Sequence, residues 1–187
     1  DRGTGATFLS YLKQGFEHIL PEGLDHILFV LGLFLLCRAW KPILIQVTTF
    51  TAAHTITLAL ATLGYVSAPA DVVEPIIAAS IVVIALENIF RPTYGKFRLL
   101  MVFAFGLIHG LGFAQRLIDE RIPSGSIVSS LLGFNLGVEF GQLAVIGLAI
   151  AVTFWIKDEE KYRGWVVIPA STLIAVAGLF WAYQRVS

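Results

Sequence analysis

Long apolar runs separated by short polar breaks are the feature that most constrains this chain. They occupy 24–40, 42–65, 72–90, 97–117, 127–156 and 165–183. About 20 apolar residues cross the hydrocarbon core of a bilayer as a helix, so each run reads as one membrane span, the first barely long enough and the fifth overlong. Composition agrees, because 57% of the residues are hydrophobic and only 14% are charged, where soluble domains carry about 25%. The expected architecture is an all-α, polytopic membrane helix bundle of six transmembrane helices. The 13 Lys and Arg balance the 13 Asp and Glu, and no basic stripe with interleaved aromatics is present, which excludes a nucleic-acid partner. The single cysteine, Cys37, excludes an internal disulfide and a thiolate cluster, so any metal would be held by nitrogen and oxygen.

Ahead of the first run, Phe8, Leu9, Leu12, Phe16, Ile19 and Leu20 recur at helical spacing, with Ser10, Lys13, Gln14 and Glu17 on the opposite side. Such a segment is expected to be an interfacial amphipathic helix. Pro21-Glu22-Gly23 then breaks it and turns the chain into the membrane. Two regions follow, 1–23 for the interfacial helix and turn and 24–187 for the six-helix domain. Asp1 to Gly5 lacks the order of a signal peptide, which implies processing before Asp1 or a preceding segment. The breaks after spans one, three and five carry Arg38, Lys41, Arg91, Lys96, Arg98, Lys157, Lys161 and Arg163, against Arg2, Lys13, Arg116, Arg121 and Arg185 on the other side. By the positive-inside rule both termini are expected outside the cytoplasm.

Ionisable groups in a bilayer are expensive and need a partner or a task. All four histidines, His18, His26, His54 and His109, lie in or beside the spans, together with Glu22, Asp25, Glu74, Glu87 and Glu139. At about 1.5 Å per residue, His54 and His109 lie about 18 Å from the inner ends of their spans, in the outer half. His18, Glu22, Asp25, His26 and Glu74 fall at the outer end of the bundle, and Glu139 lies near the midplane. Glu87 sits four residues from Arg91, at the spacing of a helical ion pair. Asn135, Glu139 and Gln142 share one face of the fifth span, Thr51, His54 and Thr55 share one of the second, and Gly106 and Gly110 flank His109. Imidazoles and carboxylates converging at one depth suit a divalent transition metal such as zinc, nickel, copper(II) or iron, and the lack of thiolates argues against copper(I).

The segments 15–29, 50–58, 106–114 and 134–139, with their Asp25-His26 and His109-Gly110 pairs, resemble the HupE/UreJ family of hydrogenase and urease accessory membrane proteins. The resemblance implies a nickel-linked permease, with metal ligands at the positions of His18, Asp25, His26 and His109, followed by Glu139. Here six residues separate His18 from Asp25-His26 where such permeases have five, and His109 stands alone where they carry a two-histidine element. The chain therefore resembles the second, broadly distributed branch of the family.

Three readings follow. In the first, a nickel or other divalent-metal permease captures its ion with Asp25, His26, His54, Glu74 and His109 and passes it inward by Asn135 and Glu139. In the second, an intramembrane zinc-type hydrolase or transferase acts on a lipid or membrane-anchored peptide. Three ligands such as His26, His54 and His109 would leave an open position, with Asp25, Glu74 or Glu139 as general base. In the third, the ion staples an accessory subunit that meets a membrane or periplasmic protein. Thr51, Asn135 and Gln142 support the site in each.

Overall fold

The computed structural model describes residues 4–119 and 124–187, and every regular element among them is helical. Lipid offers no water to satisfy exposed backbone groups, so apolar runs of this length close their hydrogen bonds internally. The helices are α1 (Thr4–Ile19), α2 (Leu24–Leu36), α3 (Trp40–Thr62), α4 (Ala70–Phe90), α5 (Lys96–Asp119), α6 (Ile127–Thr153), α7 (Glu159–Tyr162) and α8 (Ile168–Val186). A π turn, Arg163–Val167, joins α7 to α8, so that Glu159–Val186 forms one span. With α3, α4, α6 and the Lys96–Ala114 part of α5, five helices are long and apolar enough to cross a membrane. Large side chains such as Leu132, Phe140, Leu148, Leu173 and Phe180 are exposed on the outside, as a lipid-facing surface requires.

The sixth crossing differs from the expected first span. The helix expected to reach Trp40 ends at Leu36, because Cys37 is extended, and Trp40 opens α3. Its 13 residues reach only about 20 Å, short of a hydrocarbon core of about 30 Å. Only together with α1 does it pass as a span, the two meeting at a bend of 72°. The α1 helix, expected at the membrane surface, is docked along α6. A β-carbon on Gly15 would collide with the Phe134 carbonyl, and one on Gly137 with that of Leu12, so glycine alone lets these backbones touch. Contacts ascend together, Phe8 beside Gly133 and Ile19 beside Gly141, and then α2 buries Val30 and Phe34 with Val145 and Ile146 further along α6. The two halves thus follow α6 in one direction and break inside the bundle at 20–23.

Apolar on every side, α2 sits at the centre, against α3, α4, α6 and α8. Around it α3 packs on α5 and α4 on α8. Arg98, read from the sequence as a loop cation, is instead 1% exposed. Because α5 already begins at Lys96, Arg98 lies in its first turn and points into the bundle. It forms an ion pair with Glu87, the acid that i, i+4 spacing had assigned to Arg91. Gln46 Oε1 accepts from its Nε at 3.0 Å and the Gly32 carbonyl from its Nη2 at 3.2 Å. Arg2 and Arg121 lie outside the described residues, as does the side chain of Arg116.

Candidate metal centre

Four helices bring the four histidines together. His18 closes α1, His26 lies in the first turn of α2, and the break between them lets both rings face the same space, their centroids 4.6 Å apart. On the opposite wall, Gly110 of α5 abuts the His54 carbonyl of α3, and Thr57 donates to the Leu107 carbonyl at 2.7 Å. This close α3–α5 contact fixes His54 and His109 on either side of His26, at 5.9 and 4.8 Å between ring centroids. His18, His26 and His54 each offer a ring nitrogen within 4.8 Å of the others. His26 is 5% exposed, and His54 and His109 are fully buried.

Hydrogen bonding sets the tautomer of two of these rings. Asn135 donates to the Leu131 carbonyl at 2.7 Å, which turns its Oδ1 to His54 Nδ1 at 3.4 Å. The Nδ1 therefore carries the proton, and Nε2 keeps a lone pair. At His109, Ser80 Oγ spends its one proton on the Ile77 carbonyl at 2.7 Å and so accepts from Nε2 at 3.0 Å. That leaves the lone pair on Nδ1. His26 Nε2, His54 Nε2 and His109 Nδ1 are buried without a hydrogen-bond partner among the described residues. Leaving such atoms unsatisfied costs about 1–3 kcal/mol each, so this cluster is organised for something that binds lone pairs. An all-imidazole set suits a divalent transition metal such as zinc, copper, iron or nickel.

A cavity of about 470 Å³, lined by His18, Asp25, His26, Glu74, His109 and Arg185 among others, opens from the cluster at one end of the bundle. Arg185 Nη2 donates to Asp25 Oδ2 at 2.8 Å and its Nη1 to the Glu74 carbonyl at 3.0 Å. Asp25 and Glu74 are thus mouth residues, outside the histidine group. Glu139 stands further off, half-buried between α6 and α3, where it accepts from Thr48 at 2.8 Å. Gln142 donates to Thr51 at 3.3 Å on the same face. On the other side of the cluster Phe29, Leu33 and Phe50 are fully buried and form a dry floor. Sequence reasoning missed Ser80, hidden in an apolar run, and Arg185, although counting along the last span places Arg185 at the depth of Asp25 and Glu74.

The family model described as HupE / UreJ protein matches residues 1–185 of the chain. No curated protein and no solved structure is found to match it. A match over essentially the whole chain, on spans suited to a membrane and around a histidine cluster able to hold a metal, makes the chain an integral membrane protein whose family implies a role in metal handling. It belongs to the HupE/UreJ family.

Proposed function

We propose that this protein is a divalent transition-metal permease, for nickel or zinc, that loads its ion from the histidine cavity. The observation carrying the reading is the convergence of ligand nitrogens from α1, α2 and α3 at the base of an open cavity. Asp25, Glu22 and Glu74 outnumber Arg185 at the mouth, so the entrance attracts cations. The cargo would meet His18, His26 and His54, with His109 beside them. Helix breaks at the binding site are how transporters free backbone and side chains for an ion, and the break between α1 and α2 falls at the site. Thr48, Glu139, Thr51 and Gln142 form a polar face between α3 and α6 that would offer an onward path, while the buried Phe29, Leu33 and Phe50 leave the other side of the cluster apolar. If both termini lie outside the cytoplasm, as the distribution of Lys and Arg predicts, the cavity faces outward and the chain imports.

That dry floor favours one other reading, an intramembrane hydrolase whose chemistry stays on the cavity side. There the bound metal would supply Lewis acidity, and Asp25 or Glu74 would take the proton.

Proteoliposomes carrying a metal-sensitive dye test both readings. Wild type should bring Ni²⁺ or Zn²⁺ to the dye, and His26→Ala should abolish the flux. Elemental analysis of protein purified without added metal runs alongside. Tightly bound zinc near one equivalent with no flux would overturn the permease and leave the hydrolase or an ion that staples the bundle. Neither binding nor flux would overturn both.

A further inference from the structure

A second cavity, of about 400 Å³, lies at the opposite end of the bundle. Three helices run from one cavity to the other, α2 from Asp25 to Leu36, α4 from Glu74 to Asn88 and α8 from Arg185 back towards Val167. At about 1.5 Å per residue they separate the two by roughly 17–27 Å. This end takes no part in the metal reading.

Its polar lining is cationic. Arg38 and Arg163 are opposed by one carboxylate, Glu159. Both guanidinium groups are held in place: Arg38 donates to the Ile156 carbonyl at 2.7 Å and lies over the Tyr162 ring, and Arg163 donates to the Ile89 carbonyl at 2.8 Å. A guanidinium has five N–H donors, so each keeps donors in reserve. Glu159 pairs with Arg38 at 2.9 Å but is 82% exposed, and a pair of that kind contributes little and exchanges readily.

An independent observation comes from Tyr162. The residue lines the cavity and is 3% exposed, yet its hydroxyl is buried with no hydrogen-bond partner among the described residues. Tyrosine hydroxyls in such positions normally find a partner. A bound acceptor would supply one, and the two arginines would supply its countercharge.

We propose that this cavity binds a phosphate group, either the headgroup of an anionic phospholipid or a free phosphate. Phosphate oxygens accept from Arg38 in place of Glu159, from Arg163 and from the Tyr162 hydroxyl, in the fork geometry that favours arginine over lysine. Such pockets between membrane helices, on the face richest in Lys and Arg, suit anionic headgroups.

Thermal unfolding in nanodiscs tests this. Probes are discs of phosphatidylcholine alone, the same discs with inorganic phosphate, and discs containing phosphatidylglycerol. Wild type should gain roughly 5–10 °C with a saturating probe. A gain with phosphate identifies a soluble ligand, and a gain with phosphatidylglycerol alone identifies the lipid. Tyr162→Phe keeps the ring and removes only the unpartnered hydroxyl. It should unfold at or above the wild-type temperature in phosphatidylcholine and lose at least half of the gain. Arg38→Lys keeps the charge, loses the fork and should lose most of it. No gain in wild type, or equal gains in all three proteins, would overturn the proposal.

Discussion

Arg185 and Asp25, 160 positions apart in sequence, meet at 2.8 Å across the mouth of the histidine cavity. The contact ties the end of α8 to the start of α2, and a looser approach to the Glu74 carboxylate at 3.9 Å adds α4. Arg185 thus occupies, as a tethered cation, the two carboxylates that an incoming metal would first meet. Both partners of the closer pair are about a quarter exposed, so solvent screening limits its contribution to about 1 kcal/mol.

Arg185→Gln should therefore lower the melting temperature by only about 2–4 °C. It should also tighten Ni²⁺ or Zn²⁺ binding several-fold, because Asp25 and Glu74 lose their competing cation. Calorimetric titration in low salt measures the second effect. A weaker metal affinity would instead mean that Arg185 organises the cavity rather than competing for it.

Asn135 acts on the centre through His54 without belonging to the ligand group. Asn135→Ala removes the acceptor that keeps the proton on Nδ1, and an orienting partner of this kind is worth about 10–100-fold in metal affinity. Competition against a chromophoric chelator should show that loss, with His54→Ala losing more. Equal affinities in wild type and Asn135→Ala would remove His54 from the ligand set.

The spans and the histidines are legible in the sequence for the same reason. A polar or titratable residue in an apolar run stands out, and its depth follows from counting. Partnership across helices is not legible in this way. Glu87 has Arg91 at helical spacing, yet the fold gives it Arg98, because the turn between α4 and α5 folds the start of α5 back onto the bundle. Asp25 and Glu74 share a depth with the histidines, but Arg185 holds them at the rim. The α1 segment has the alternation of a surface helix. Its docking depends on Gly15 meeting the Phe134 backbone and on Gly137 meeting Leu12 and Gly15, more than a hundred residues apart, so the glycines are visible in the sequence but their partners are not.

The Arg98–Glu87 pair makes the energetic version of this point. Arg98 has a side chain with 0% exposure, and it binds Gln46, Asn88 and the Gly32 carbonyl as well as Glu87. Glu87→Gln should destabilise the protein by roughly 3–5 kcal/mol, because it strands a buried charge. Glu87→Gln combined with Arg98→Met should recover only part of that loss, since no charge is left unpaired but Gln46 Oε1 and Asn88 Oδ1 lose their donor. Denaturation of the single and double variants measures the coupling, and additive losses would show that the two side chains do not act as a unit.

Docking of α1 can be tested apart from ligation at Gly137, which meets backbone atoms of Leu12, Gly15 and Phe16 and no histidine ring. A leucine at Gly137 would drive its side chain into the Leu12 carbonyl and the backbone at Gly15 and Phe16. The α1 helix must then shift off α6, and with it His18, whose ring lies 4.0 Å from that of Phe113 and 4.6 Å from that of His26. The α2–α5 core, built on the separate packing of α3 on α5 and α4 on α8, does not need that contact. Gly137→Leu should therefore remain folded and helical by circular dichroism while its metal affinity falls at least tenfold, matching His18→Ala. Gly147→Leu, a change on the same helix where a β-carbon meets nothing, should leave affinity unchanged. If Gly137→Leu kept full affinity, the metal would be held by His26, His54 and His109, and the break between α1 and α2 would serve packing alone.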